Sequence, residues 1–411
     1  FTKRYTFDKV KLYKRKVFDK IQPYLGDETV IVLHGARQVG KTHILFYIQD
    51  WLLIKDKKVF YYDLEYPELL ADLNRGVEVF VSDLAGKGYI GKEEIYVLID
   101  EIQYLDNPSS FIKIIADHYK NIHLIVSGSS TFNIKSKFKD SLAGRTTSFE
   151  IFPLSFEEFL EFKGISTDPS LVTSPSGILN LKASYTEFVK YGGYPKVVLE
   201  KEEEKKKRYL QQVIDTYIRK DIRDLAKVED INKFNNMLKV LASQSGNLLD
   251  LRSLSRETNI SLPTLSKYLS ILEETFVIKR ISPYSKSPSV EISKNPKIFL
   301  FDSGLQSILW LNSFQGSHLG TIFETNIFGE LVKNFGRQTV HFWRTKTQVE
   351  IDFIVENEDG SILPLEVKTN FQQFSPKVVK LFCKKYKIES WKIIGLEGNK
   401  IEPNGFYPWE I

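Results

Sequence analysis

Sulfur is almost absent from this chain of 411 residues, which has one cysteine, Cys383, and one methionine, Met237. A single cysteine cannot form an intrachain disulfide, and such a chain suits a reducing compartment. Long apolar runs are also missing: no stretch approaches the roughly 18 to 20 residues that a membrane-spanning helix requires. The first residues lack the apolar segment of a signal peptide. We therefore expect a cytoplasmic protein without a membrane partner.

A strong excess of one charge is absent too. Lys and Arg number 57 and Asp and Glu 52, a formal net charge of +5. This balance permits contact with nucleic acid but does not argue for it. The length predicts two to four domains, each large enough for its own core.

The clearest chemical pattern is Gly35–Thr42, Gly-Ala-Arg-Gln-Val-Gly-Lys-Thr, which fits the G-x-x-x-x-G-K-[ST] pattern of a phosphate-binding loop. A β-branched apolar run precedes it, and helical spacing of apolar residues follows it. Backbone N–H groups in such a loop surround a β-phosphate, Lys41 contacts the β and γ oxygens, and Thr42 holds Mg²⁺. A glycine turn before an ordinary helix is the alternative. The predicted nucleotide contacts are Gly35, Ala36, Arg37, Gln38, Val39, Gly40, Lys41, Thr42 and His43.

A second apolar run, Ile95–Ile99, ends in Asp100 and Glu101. Alternating strands and helices indicate a parallel α/β sheet, in which the carboxyl ends of the strands open onto one crevice. We expect Asp100 to hold Mg²⁺ through water and Glu101 to polarise the attacking water. The alternative is that the two carboxylates cap a helix and place charge in its first turn.

Two further features follow along the chain. The run from His123 ends in Ser129 and Ser130, either of which can bind the γ-phosphate or the attacking water, or cap the next segment. Arg145 can stabilise transition-state charge as an arginine finger in cis or in trans, although a solvated surface arginine explains it equally well. A trans role requires a homo-oligomer.

Together these segments resemble the AAA+ ATPases of archaea and bacteria that carry a C-terminal nuclease-like domain. The resemblance rests on Gly35–Thr42, Leu98–Gln103, Ser127–Ser130, Ala143–Arg145 and Phe152–Phe159. It implies an ASCE-type P-loop core that binds ATP and Mg²⁺. It also implies that Glu101 is the catalytic glutamate and that Ser129 or Ser130 senses the γ-phosphate.

Residues 164–182 are loop-like in composition. The sequence Gly192-Gly193-Tyr194-Pro195 resembles a motif of the same ATPases whose proline, here Pro195, packs near the adenine. A helix end followed by a proline stop explains these residues as well. Both interpretations can hold together.

Residues 231–282 predict a helix-turn-helix followed by the first strand of a wing. Ser261 is the expected N-cap of the second helix, and Thr264, Lys267 and Tyr268 are expected to face outward, able to meet DNA. Such units also serve as lids and protein-docking modules, so the sequence alone does not choose DNA.

Charged residues recur in the last third of the chain. A hairpin with a turn at Glu358–Gly360 would place Asp352 opposite Glu366 and Glu350 opposite Lys368 on one face. The D-x(13)-E-x-K spacing, with Glu324 on an upstream helix, resembles the PD-(D/E)XK nucleases. The resemblance implies a second divalent metal held by Glu324, Asp352 and Glu366, with Lys368 beside it. A cross-strand ion-pair ladder is the structural alternative.

The fold expected from these features is α/β, with a parallel-sheet P-loop core, a helical and winged-helix middle, and a C-terminal restriction-endonuclease-like domain. The predicted domains are residues 1–163, 164–230, 231–290 and 291–411. The predicted function is ATP hydrolysis coupled to a DNA-directed C-terminal half. The alternatives are a nucleotide-dependent switch with an inactive docking domain and an ATP-gated nuclease.

Overall fold

The computed structural model describes residues 11–128, 142, 144–168, 174–216, 227–285, 295–314 and 319–411. The chain divides into two compact units, Phe1–Phe152 and Pro153–Ile411. The segment after Phe152 packs within the second unit, where the Leu154 N–H donates to the Gly193 carbonyl at 2.7 Å. The first predicted boundary, after residue 163, therefore differs from this division. The four-domain organisation stays a prediction.

The first unit is built on a five-stranded, all-parallel sheet in the order β2-β3-β4-β1-β5. Every residue of β1, β3 and β4 is buried, as expected of apolar strands covered on both faces. β4 lies between the strand that enters the phosphate loop and the strand that ends at Asp100. The strands are β1 (Val30–Gly35), β2 (Lys58–Asp63), β3 (Ile95–Asp100), β4 (Ile122–Gly128) and β5 (Thr146–Ile151).

Helices cover this sheet and form its core. Phe111 and Ile115 pack in one apolar cluster with Val97 and Ile99 of β3. Leu98, between them, points to the opposite face because side chains alternate along a strand. The helices are α1 (Val17–Ile21), α2 (Lys41–Ile54), α3 (Pro67–Asn74), α4 (Val77–Gly86) and α5 (Pro108–His118).

The described residues of the second unit form ten α-helices, a two-stranded antiparallel sheet and a five-stranded sheet. The helices are α6 (Phe156–Lys163), α7 (Pro175–Tyr191), α8 (Pro195–Leu199), α9 (Glu203–Val213), α10 (Ile231–Ser243), α11 (Leu251–Thr258), α12 (Leu262–Glu274), α13 (Ser303–Leu311), α14 (Leu319–Phe335) and α15 (Lys377–Tyr386), the last lying farther along the chain. The two strands are β6 (Ile278–Ile281) and β7 (Lys297–Leu300). β6 follows α12 closely in the chain, and β7 lies farther along.

A second sheet of five strands closes the chain, in the order β12-β11-β10-β9-β8. β9 and β10 are antiparallel, with Glu356 opposite Ile362 and Phe353 opposite Leu365. This is the register that the sequence predicts for the hairpin. The strands are β8 (Val340–Arg344), β9 (Glu350–Glu356), β10 (Ile362–Asn370), β11 (Lys392–Glu397) and β12 (Gly405–Phe406). The expected α/β fold, with a parallel P-loop sheet and a C-terminal sheet domain, is confirmed.

One local expectation is wrong. The composition of residues 164–182 suggests a loop, yet α7 starts at Pro175 inside that range. The Ser174 side chain caps the helix by accepting from the Gly177 N–H, and proline is well suited to the first helical turn. Separately, within the described residues, no helix combines the length and hydropathy needed to cross a membrane.

Candidate nucleotide site and carboxylate cluster

The predicted phosphate loop joins β1 to α2, as the motif requires. A side chain at Gly35 would collide with the Ile151 carbonyl of β5, so this position demands glycine. Gly40 has φ +97° and lies immediately before the first helical residue. Ala36 and Val39 are buried, which anchors the loop to the sheet. The backbone N–H groups at the start of α2 are thus available to an anion, as at other helix N-termini.

Lys41 is the buried cation of this loop. Its Nζ donates to the carbonyl oxygens of Gly35 at 3.1 Å and Ala36 at 2.7 Å. Burial lowers the pKa of Lys41 to about 8, while the nearby carboxylates of Glu101 and Asp100 oppose that shift. The two acidic residues and the lysine therefore lie close enough to influence one another, as the sequence predicts. Thr42 is exposed on the first turn of α2.

The entry segment supports the loop from behind. Arg15 is 5% exposed, and its guanidinium donates to the Val39 carbonyl at 2.8 Å and to the Phe152 carbonyl at 2.9 Å. The imidazole of His43 accepts from the Tyr13 N–H at 2.9 Å, and burial together with Arg15 lowers the pKa of His43. His43 therefore uses its side chain to hold the entry segment. Nothing in the spacing of the sequence points to Arg15.

Asp100 is held by side chains from two neighbouring strands. It is 3% exposed and accepts from the Ser127 hydroxyl of β4 and, at 3.2 Å, from the Tyr61 hydroxyl of β2. Burial, and then the charge of Asp100, raise the pKa of Tyr61 far above its usual value, so Tyr61 stays a donor. Ser127 and Tyr61 thus orient the carboxylate. The polar end of β4 was a visible signal for Ser127, whereas Tyr61 lies in an apparently ordinary strand.

Glu101 follows Asp100 in a left-handed conformation, with φ 56° and ψ 44°. A residue other than glycine rarely adopts this conformation, and strain of this kind gathers at functional sites. The Glu101 N–H donates to Asp100 Oδ1 at 3.1 Å, and the Gln103 amide donates to Glu101 Oε2. Gln103 therefore holds the Glu101 carboxylate at the turn that follows β3.

Ser129, Ser130 and Arg145, which the sequence also predicts as site residues, have different outcomes. Ser129 and Ser130 lie outside the described residues, so their role stays a prediction. Arg145 lies immediately before β5, at the amino end of the sheet. Its carbonyl accepts a hydrogen bond from the Val30 N–H at 2.8 Å. Arg145 lies six positions before Ile151, about 20 Å along a strand, and its side chain pairs with Asp117 at 2.6 Å. The cis-finger alternative is therefore wrong for Arg145; a trans role stays a prediction.

The glycines before Pro195 have a packing role in the second unit. Gly192 has φ +77° at the end of α7, and a side chain on it would strike the carboxylate of Asp302. The Gly193 N–H donates to Asp302 at 2.7 Å, and Pro195 opens α8. The structural interpretation of Gly-Gly-x-Pro as a helix end with a proline stop is thus confirmed. The adenine contact of Pro195 stays a prediction.

The helix pair α11 and α12 has the predicted turn. Asn259 is left-handed, and the Ser261 side chain caps α12 by accepting from the Thr264 N–H. Lys267 is exposed. Tyr268, expected to face outward, is instead 6% exposed and packs edge-to-face on Phe234. Its position therefore serves the core, because the apolar stripe of α12 is wider than the three leucines suggested.

A partly buried group of charges in the second unit contains the predicted nuclease residues; we call it the carboxylate cluster. Its acidic members are Glu324, Glu350, Asp352 and Glu366, and its basic members are Lys297, Arg344 and Lys368. Lys368 Nζ lies 3.1 Å from Asp352 Oδ2 and 2.9 Å from Glu366 Oε2. Asp352 Oδ2 also accepts from the Val367 N–H at 2.8 Å. Asp352, Glu366 and Lys368 are therefore brought together, as predicted.

Glu350 has different partners from those expected. The hairpin register would place it opposite Lys368, but its carboxylate instead contacts Lys297 at 2.6 Å and Arg344 at 2.9 Å. The ladder of β9 with β10 extends from Glu356 and Ile362 to Phe353 and Leu365, whereas Glu350 lies opposite Arg344 on β8. The predicted position of Glu350 opposite Lys368 lies beyond this ladder and stays a prediction, whereas the ion-pair partners of Glu350 are Lys297 and Arg344. Lys297 and Arg344 carried no signal in the sequence.

Electrostatics inside the cluster favour protons on some carboxyls. Burial, followed by repulsion from Asp352, raises the pKa of Glu366 to about 8. Burial also raises the pKa of Glu324 to about 7, against the opposing charge of Lys297. Within the described parts of the chain, no three Asp, Glu, His or Cys side chains form a group that could hold a metal ion. The residues of the cluster thus do not fit the expected divalent metal.

Three family models match parts of the chain. Residues 27–160 match the AAA domain, residues 182–315 a domain of unknown function (DUF8612), and residues 319–405 another domain of unknown function (DUF4143). The AAA match covers the phosphate loop and the strand ending at Asp100. The N-terminal part is therefore similar to P-loop ATPase domains of the AAA type, which supports an ATP-binding ATPase.

Two relatives that match most of the chain are both named as uncharacterized proteins. The chain is 26% identical over 359 residues to an uncharacterized protein of Haemophilus influenzae, covering 85% of each chain. It is 25% identical over 444 residues to an uncharacterized protein of Methanocaldococcus jannaschii, covering 99% of this chain and 88% of that one.

Among solved structures, a Walker-type ATPase of Pyrococcus abyssi is similar, with a TM-score of 0.47 and 15% identity over 73% of this chain and 96% of that one. Another is the ORC2 protein of Aeropyrum pernix in its ADP form, with a TM-score of 0.36 and 11% identity over 70% of this chain and 90% of that one.

Proposed function

We propose that this protein hydrolyses ATP at the loop Gly35–Thr42 and uses the nucleotide cycle to control a DNA-directed second unit. In the proposed reaction Glu101 orients a water molecule toward the γ-phosphate, and Lys41 exchanges its bonds to the Gly35 and Ala36 carbonyls for phosphate oxygens. Thr42, and Asp100 through water, would hold Mg²⁺, which supplies neutralising charge for the phosphates.

The observation that carries this proposal is the mutual proximity of one buried lysine and two carboxylates. The pKa of Lys41 responds to both Glu101 and Asp100. These groups come from β3 and from the loop after β1, so the sheet, and no local sequence feature, brings them to one edge. The arrangement matches the roles that phosphoryl transfer to water requires: a cation on the phosphates, a metal carboxylate and a water-orienting group.

Two substitutions test the proposal. Lys41→Ala should abolish turnover because it removes the cation, and unchanged hydrolysis by that variant would contradict the central claim. Glu101→Gln should retain ATP binding while slowing hydrolysis by about 10²- to 10⁴-fold, the usual contribution of a positioned general base. Lys87→Ala is a suitable control, because Lys87 pairs with Asp83 on the surface of the same unit at 2.6 Å.

DNA is the proposed partner of the helix pair α11 and α12. Support comes from the exposed basic side chains on these helices, Arg252, Arg256 and Lys267, and from the following antiparallel strands, which fit a winged-helix arrangement. Phosphate contacts by such side chains would position the protein without reading sequence. We propose the trans action of Arg145 as well, in a homo-oligomer.

A nucleotide-dependent switch is the second candidate, favoured by the lysines that fill the carboxylate cluster. In that case ATP binding controls a docking surface, and the second unit cuts nothing. Glu101→Gln discriminates the two functions: a switch keeps its ATP-dependent partner binding, whereas a hydrolysis-driven machine stalls with ATP bound. An ATP-gated nuclease predicts instead that Asp352→Ala abolishes Mg²⁺- or Mn²⁺-dependent DNA cutting and leaves ATP hydrolysis intact.

A further inference from the structure

Lys297 is the most completely buried charged member of the carboxylate cluster. It opens β7 and is 2% exposed. Its Nζ lies 2.6 Å from Glu350 Oε1 on β9 and 3.4 Å from Glu324 Oε1 on α14. The charge of Asp352 acts on it as well. A single ammonium on β7 thus lies near three acidic residues, Glu350 and Asp352 of β9 and Glu324 of α14.

Lys368 likewise lies between two carboxylates of the cluster, those of Asp352 and Glu366. Its Nζ contacts Asp352 and Glu366 and also donates to the Val367 carbonyl at 2.9 Å. The two lysines together contact all four carboxylates. A divalent cation such as Mg²⁺ needs several oxygen ligands at about 2.0–2.6 Å. Here those oxygens face ammonium groups at hydrogen-bond distances.

The formal charge of the cluster also argues against a bound divalent cation. The cluster has four carboxylates and, in Lys297, Arg344 and Lys368, three cations, so its formal charge is −1 when every group is ionised. A divalent cation added to this set would reverse the sign to +1. Buried ions are stable only when they are paired, and this cluster is already paired without a metal.

We propose that Lys297 occupies the position of a cation in the carboxylate cluster, so that the second unit binds no divalent metal there. The carboxylates of Glu324 and Glu350 instead pair with Lys297 and so connect β7 to α14 and β9. On this view the cluster is an internal ionic joint between the two-stranded sheet and the C-terminal sheet. The inference does not depend on ATP hydrolysis, because every residue involved lies in the second unit.

Mn²⁺ binding by the full chain without nucleotide tests this proposal. Bound Mn²⁺ is counted by electron paramagnetic resonance, and thermal unfolding is followed with and without the ion. Lys297→Met should lower the melting temperature, because it leaves Glu324 and Glu350 without their shared cation. The variant should bind one more Mn²⁺ per chain than the wild type, and the ion should restore much of the lost melting temperature. Lys297→Arg, which keeps a cation, should gain no Mn²⁺.

Lys333→Met is the matched control. Lys333 is also largely buried in the second unit, but it pairs with one carboxylate, Glu330, at 2.8 Å and with the Leu154 carbonyl at 2.9 Å. This variant should lose stability without gaining Mn²⁺, because one carboxylate does not make a divalent site.

Two results would overturn the proposal. The first is a folded Lys297→Met variant that binds no additional Mn²⁺. The second needs only the wild type and Asp352→Asn: Mn²⁺ that stabilises the wild type but not this variant would show that the cluster already takes a metal.

Discussion

The side-chain amide of Gln103 donates a hydrogen bond to the carboxylate of Glu101, the proposed water-orienting group. An amide on one oxygen competes with water for that oxygen. Gln103→Leu should therefore raise basal ATP hydrolysis about two- to tenfold, the effect of removing one hydrogen bond. Steady-state phosphate release, compared at saturating ATP, measures this change. A lower rate in Gln103→Leu would mean that Gln103 holds Glu101 in its productive position instead.

Arg15 clamps the phosphate loop to the end of β5. Arg15→Met leaves the carbonyls of Val39 and Phe152 without this donor, and hydrogen bonds from charged groups contribute about 1.5–3 kcal/mol. We expect lower stability of the first unit and weaker binding of a fluorescent ATP analogue. Lys14→Met is the control, because Lys14 pairs with Asp19 while both side chains are about half exposed. Equal effects of the two substitutions would contradict a specific role for Arg15.

The nucleotide site shows what the sequence can and cannot predict. The loop Gly35–Thr42 and the pair Asp100 and Glu101 follow local rules, because strand ends and glycine spacing are written in consecutive residues. Arg15, Tyr61 and Gln103 acquire their partners only through folding, and each looks like an ordinary residue in its own segment. Arg145 failed as a cis finger because spacing along the chain does not reveal at which end of the sheet a residue lies.

The C-terminal half likewise combines a strand register that the sequence predicts with side-chain contacts that it does not predict. The turn at Glu358–Gly360 correctly predicts how β9 pairs with β10, since hairpin geometry is local. The partners of Glu350 depend on β8 and on Lys297, which is 53 residues away from it in the chain. Tyr268 likewise turned inward to meet Phe234 of α10. Contacts between distant segments therefore determine the partners of Glu350 and the inward orientation of Tyr268, which local sequence patterns do not reveal.

Nucleotide affinity should depend on pH through Lys41. The pKa of Lys41 in the free protein is lowered to about 8, so above that pH the free protein loses the proton that phosphate binding needs. We expect the affinity for ATP to fall up to about tenfold per pH unit above pH 8. Titration of a fluorescent ATP analogue between pH 7 and 9.5 measures this. In Lys41→Arg the affinity, whatever its absolute value, should be flat across the range, because arginine stays protonated.

Duplex DNA binding, where present, should depend on Lys267 and not on the hydroxyl of Tyr268. Lys267→Glu reverses an exposed charge on α12 and should weaken binding and reduce its salt dependence by about one phosphate contact. Tyr268→Phe keeps the packing on Phe234 and should bind as the wild type does. Fluorescence anisotropy at several salt concentrations measures both. An unaltered affinity and salt slope in Lys267→Glu would exclude DNA contact by this face of α12.

The stability of the second unit should fall as the pH rises from about 5 to 8. The pKa of Glu366 is raised to about 8 in the folded chain, so across this interval the folded state holds a proton that the unfolded state has released. The proton favours folding below the ordinary pKa of a glutamate, and this contribution is lost as the pH rises through about 8. Its upper limit is about 1.4 kcal/mol per unit of pKa change.

Glu366→Gln isolates this effect, because the amide resembles the protonated acid and does not titrate. Urea unfolding at pH 5, 6, 7 and 8 should show a decline in the midpoint for the wild type and a flatter profile for the variant. Glu324, whose pKa is raised to about 7, adds to the decline with the same sign and remains in both proteins. Parallel profiles for the two proteins would mean that Glu366 is ionised in the folded chain throughout this range, with Lys368 supplying the compensating charge.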